Sequence, residues 1–121
     1  MTADRRARLL PTFQRYAAEC RTRAQALAAL TAAEGAWDLA AIVHEAHSLA
    51  GSGATMGAEA LGTGARALEQ RAQDCREAGL APDDETRRQM AAQAQALLDQ
   101  ARGFAVERML DAFMAKMFRS S

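Results

Sequence analysis

The stretch Trp37–Gly57, WDLAAIVHEAHSLAGSGATMG, decides how the rest of the chain is read. Its first half is helical: Leu39, Val43, Ala46 and Ala50 fall at spacings of four and three, which place them on one face of an α-helix. Its second half looks ill suited to that helix. Gly51, Gly53 and Gly57 arrive in quick succession after His47, and each glycine costs a helix interior about 1 kcal/mol relative to alanine. A helix that sets a histidine beside its apolar stripe and then sheds its side chains needs a reason.

The same spacing recurs on both sides. Upstream, Phe13, Ala17, Cys20, Ala24, Leu27 and Thr31 form one stripe of a long helix from about Asp4 to Ala33. Pro11 either kinks that helix or starts it afresh after a short leading turn. Gly35 marks its stop, and the second helix begins near Ala36 or Trp37. Downstream, Leu61, Ala65, Leu68, Ala72 and Cys75 give a third helix, closed by Gly79. In LAPDDE (residues 80–85), Pro82 breaks the chain, Asp83 can cap, and Asp84 and Glu85 suit a first helical turn. The fourth helix carries Met90, Ala94, Leu97, Ala101 and Phe104.

Half of the 121 residues are hydrophobic, but only 5% are aromatic, and alanine dominates the apolar set. Alanine-rich stripes favour close helix packing, and the scarcity of β-branched residues disfavours sheet. The expected fold is all-α: an antiparallel up-and-down four-helix bundle over residues 1–103. Residues 104–121 follow as an amphipathic C-terminal helical extension. There Val106, Leu110, Phe113 and Met117 lie about 200° out of phase with Phe104. Three uses fit such a tail. It can pack on the first helix, offer a partner or dimer surface rich in Met109, Met114 and Met117, or touch a membrane, the last disfavoured by its mixed charges.

Fifteen basic and fifteen acidic residues leave a net charge of +0, which argues against nucleic-acid binding driven by bulk electrostatics. The cluster of arginines before residue 24 reads as a solvated helix face or a patch for an acidic partner. Cys20 and Cys75 are expected as buried, reduced thiols. The absence of a run of about 18 apolar residues and of a signal-peptide apolar region points to a cytoplasmic protein.

On a helical wheel His47 falls about 100° from the centre of the apolar stripe, at its boundary, with His44 further out. The neighbours of His47 on the helix surface are Ala40, Val43, His44, Ala50, Gly51 and Ala54. The imidazole therefore stands on an uncrowded patch. This is what a ring reached by another macromolecule needs, and a ring that only packs gains nothing from it. Neutral imidazole has an ordinary pKa near 6.5 and is a nucleophile that accepts a phosphoryl group with no activating base. His44 and His47 do not close a metal site by themselves. No G-x-S-x-G elbow or P-loop is present.

The segment AHSLAGSGATMGAEALGTGARALE (Ala46–Glu69) resembles the signature of histidine-containing phosphotransfer (HPt) domains. The matching residues are His47, Leu49, Gly51, Ser52, Gly57, Leu61, Leu68 and Glu69. The resemblance implies a four-helix bundle that shuttles phosphate in a multistep two-component phosphorelay. His47 would be the phosphoacceptor, exchanging phosphate with the aspartate of a response-regulator receiver domain, or serving a hybrid histidine kinase. Val43, His44, Ala50, Gly51 and Ala54 would form the docking floor. Such a domain has no ATP site, no independent catalysis and no cofactor of its own; Mg2+ is expected only in the receiver. One departure stands out: many members carry lysine where this chain has Ala50, and Arg66 on the third helix is a candidate to replace it. The competing reading is a non-catalytic receiver-binding or helix-binding adaptor in which His47 is never phosphorylated.

Overall fold

The computed structural model describes residues 2–53 and 55–119. These form five helices: α1 Thr2–Ala32, α2 Leu39–Gly53, α3 Glu59–Ala78, α4 Asp84–Arg102 and α5 Val106–Arg119. No strand occurs among the described residues. Pro11 lies inside α1, which continues through it.

The helix ends follow local chemistry. The second helix starts at Leu39, two or three residues later than its spacing suggests, because Asp38 stops the preceding turn and caps it: its carboxylate accepts a hydrogen bond from the Ala41 amide at 3.0 Å. Asp83 caps α4 in the same way, accepting from the Thr86 amide at 2.8 Å. Gly79 ends α3 in the left-handed conformation, at φ +66°, as its position in the sequence indicates. Arg87 of α4 reaches the α1–α2 connection, donating to the carbonyls of Gly35 (2.8 Å) and Ala33 (2.9 Å). It also stacks 4.4 Å from the centre of the Trp37 ring.

Packing contacts run α1 to α2, α2 to α3, α3 to α4 and α4 back to α1, so the four helices enclose one core. Every residue of the α1 stripe from Phe13 to Thr31 is buried. Thr31 satisfies its hydroxyl by donating to the Leu27 carbonyl at 2.8 Å. The buried face of α2 is Ile42, Ala46, Leu49 and Ala50, with Leu39 and Val43 half-buried at its edge. Leu61, Ala65, Leu68 and Ala72 fill the core from α3, and Met90, Ala94, Leu97 and Ala101 from α4. The expectation of two buried thiols holds for Cys20 only. Cys75 is half-buried, because the last turn of α3 borders a cavity of about 340 Å3 at the bundle end, lined by Trp37, Leu39, Leu80 and Pro82.

Gly103 ends α4, and the chain turns at Phe104–Ala105 before α5. The fifth helix packs on α1. The phenyl rings of Phe13 and Phe113 meet edge to face at 5.3 Å. Arg6 pairs with Asp111 across the same interface. Met109, Leu110 and Met114 are buried there. Met109 and Met114 are thus packing residues in this chain, not parts of an open methionine surface.

Candidate functional site

His47 sits on the third turn of α2, and 73% of its side chain is exposed. Its Nδ1 lies 2.6 Å from a carboxylate oxygen of Glu69, a residue of α3 whose own side chain is only 23% exposed. A carboxylate offers acceptors alone, so the shared proton resides on Nδ1. In the neutral ring the second nitrogen, Nε2, then carries the lone pair. The sequence signals Glu69 as one residue of a family-like pattern. The pairing itself depends on how α2 and α3 are set against each other.

Backbone packing fixes that setting. A Cβ added at Gly53 would come within 2.6 Å of the Gly62 Cα, 2.8 Å of its nitrogen and 2.9 Å of the Ala58 carbonyl oxygen. Helices α2 and α3 therefore touch through bare backbone at Gly53 and Gly62, and the contact holds the His47 and Glu69 faces in register. Neither glycine stands out as a site residue by spacing alone. Gly51 is different: an added Cβ would meet nothing within 4 Å. The glycine-rich turn thus divides its work, with Gly51 leaving open space beside His47 and Gly53 admitting the neighbouring helix. Gly57 has φ +78°, and a Cβ there would lie 2.8 Å from the Met109 carbonyl oxygen. It supplies both the left-handed turn and room for α5 to cross the α2–α3 connection.

The other residues expected around the ring are placed unequally. His44 and Gly51 are exposed, Val43 is half-buried, and Ala50 is only 4% exposed, so it forms a floor beneath the surface. Ala54 lies outside the described residues. Arg66 is exposed on α3 and lines a cavity of about 160 Å3 with Ala50, Glu59, Gly62 and Thr63. On the α1 side, Ser48 and Ser52 line a cavity of about 140 Å3 with Tyr16, Glu19, Cys20 and Arg23. The Tyr16 hydroxyl is buried there without a hydrogen-bond partner among the described residues. Burial holds the Tyr16 phenol and the Cys20 thiol above their ordinary ranges, so both stay protonated at neutral pH. Arg23 bridges α1 and α2 by pairing with Glu45 at 3.0 Å and with Glu19 at 3.0 Å.

Among the described residues no group of three or more His, Cys, Asp or Glu is placed to hold a metal ion. No described helix is long and apolar enough to cross a membrane. The site presents the accessible imidazole of His47 paired with the Glu69 carboxylate on the face shared by α2 and α3.

Comparison with known families returns the Hpt domain, whose model matches residues 9–114. That span includes His47, Glu69 and most of α5. Searches of curated proteins and of solved structures return no match. Hpt domains serve histidine phosphotransfer in two-component phosphorelays, where they meet receiver domains and kinases as phosphocarriers. The match covers far more than half of the 121 residues, and the chain belongs to the Hpt domain family.

Proposed function

We propose that Nε2 of His47 accepts a phosphoryl group from the aspartate of a response-regulator receiver domain, and returns it by the reverse step. The observation that carries this reading is the pairing of exposure with orientation: the ring is open to a partner, while Glu69 commits Nδ1 to carrying the proton. In the forward step the Nε2 lone pair forms the N–P bond. The P–O bond to the aspartate breaks, and the carboxylate leaves with its electron pair. The ring gains positive charge with Nδ1 still protonated, and the Glu69 carboxylate lies against that charge. In-line transfer of this kind depends on positioning and charge stabilisation. The divalent cation and the acidic pocket belong, in this reading, to the receiver.

The partner would close over the patch formed by Val43, His44 and Gly51 above Ala50, with Ala54 next along the sequence. The α2–α3 pairs His47–Glu69 and Gly53–Gly62 run in opposite chain directions. With the short connections between helices, they support an antiparallel up-and-down arrangement of α1–α4, with α5 laid on α1. The adaptor reading draws on Ala50, which leaves the turn after His47 without the lysine common in the family.

Incubation with a phosphorylated receiver separates the two readings. Acid-labile, base-stable phosphate on wild type, and none on a His47→Ala variant that keeps its helical circular dichroism, is the expected result. Equal labelling of the two proteins would remove His47 from the mechanism. No labelling of either by any cognate receiver would favour the adaptor.

A further inference from the structure

We propose that Arg66 supplies the cation for the phosphoryl group carried on His47, from α3 in place of α2. The inference rests on His47 being the phosphoacceptor. Its basis is the register of the two helices. His47 of α2 meets Glu69 of α3. Three residues further along α2 is Ala50, and three residues earlier on α3 is Arg66. These two line the same small cavity. The guanidinium stem therefore starts about 4.5 Å along the groove from the His47–Glu69 contact, one helical turn away. An arginine side chain spans one turn, and its planar fork suits phosphate oxygens.

The surroundings leave that cation available. Arg66 forms no ion pair among the described residues. Glu59, which lines the same cavity, is engaged by Lys116 of α5, whose Nζ lies 3.0 Å from its carboxylate, and Glu69, three residues along α3, is engaged by His47. The cavity floor is Ala50 and Gly62, with the Thr63 hydroxyl at its rim. A lysine on α2 at position 50 is unnecessary if α3 delivers charge to the same place. Ala50, only 4% exposed, instead contributes a small side chain to that cavity.

The test uses the whole chain, labelled on His47 with phosphoramidate, a small donor that needs no partner protein. The 31P resonance of the phosphohistidine is followed against pH in wild type, Arg66→Ala and Arg66→Lys. A neighbouring cation holds the second ionisation of the phosphoryl group down. The midpoint is expected to rise by roughly half a unit or more in Arg66→Ala and to return most of the way in Arg66→Lys, a solvent-exposed effect that shrinks at high salt. A structural role for Arg66 would not move this midpoint. Identical midpoints in wild type and Arg66→Ala overturn the assignment while leaving His47 as phosphoacceptor. Absence of phosphohistidine at position 47 in wild type overturns both. Inorganic phosphate added to unlabelled protein separates a general anion site from this one: it is expected to leave the Arg66 Nε–H resonance in place, whereas phosphorylation moves it. A shift with free phosphate as large as that with phosphohistidine would overturn the assignment.

Discussion

Gly51 and Gly53 lie two residues apart on α2, yet the same substitution should act on them in opposite directions. At Gly51 an added methyl meets nothing within 4 Å, and the backbone φ is not positive. Gly51→Ala therefore gains helix propensity at no steric cost, up to about 1 kcal/mol. At Gly53 the methyl lands 2.6 Å from the Gly62 Cα, with two further backbone atoms under 3.0 Å. Carbon atoms pack at about 3.5 Å or more, so α2 and α3 must part by roughly 1 Å. No flexible side chain is there to yield. Overpacking costs about 1–3 kcal/mol, and a clash of backbone on backbone belongs at the upper end. After the propensity gain, Gly53→Ala is expected to lose about 2 kcal/mol, leaving the two variants about 3 kcal/mol apart. Urea unfolding followed by circular dichroism at 25 °C measures this directly, with the slope against urea unchanged between variants. In a chain of this size the gap corresponds to roughly 10 °C in Tm. A Gly53→Ala protein as stable as Gly51→Ala would refute the claim that bare backbone sets the α2–α3 spacing. Gly51→Gln completes the series. It should stay folded, and transfer from a phosphorylated receiver should slow about tenfold or more; an unchanged rate would mean that no partner closes over that surface.

Two further outcomes follow from the same geometry. Glu69→Ala should release Nδ1, so that long-range 1H–15N spectra of His47 change from one tautomer to a mixture. Phosphoryl acceptance should fall about fivefold, the worth of a charge-assisted hydrogen bond at an exposed site; an unaltered tautomer would show that Glu69 does not orient the ring. The α4 cap predicts a pH effect of defined sign. The Thr86 hydrogen bond holds the Asp83 carboxyl below its ordinary range. Its contribution to stability is therefore present above the unfolded-state value and is lost as pH falls through the lower folded value. Asp83→Asn, which caps without a titrating charge, should flatten the part of the pH–stability curve that lies below the ordinary aspartate value of about 3.9. An Asn variant with the same acid profile as wild type would assign the loss to other carboxylates.

Much of this protein is written in local pattern. The 3-4 spacing of small apolar residues sets the α1, α3 and α4 stripes, because a helix face is a matter of periodicity and needs no knowledge of its neighbour. Gly79 and Asp83 mark helix ends for the same reason: their capping chemistry reaches only a few residues. His47 stands out by its phase on α2 and by the missing side chains after it. Tertiary packing settled what those patterns leave open. The Nδ1–Glu69 contact joins residues 22 positions apart, and its existence depends on the distance between two helix axes. That distance rests on Gly53 meeting Gly62, whereas Gly51, two residues away, faces open space. The burial of Met109 and Met114 was equally undecided by sequence, since an amphipathic tail reads alike whether it covers α1 or waits for a partner. Periodicity tells a helix which face is apolar; only the assembled core tells it what that face will touch.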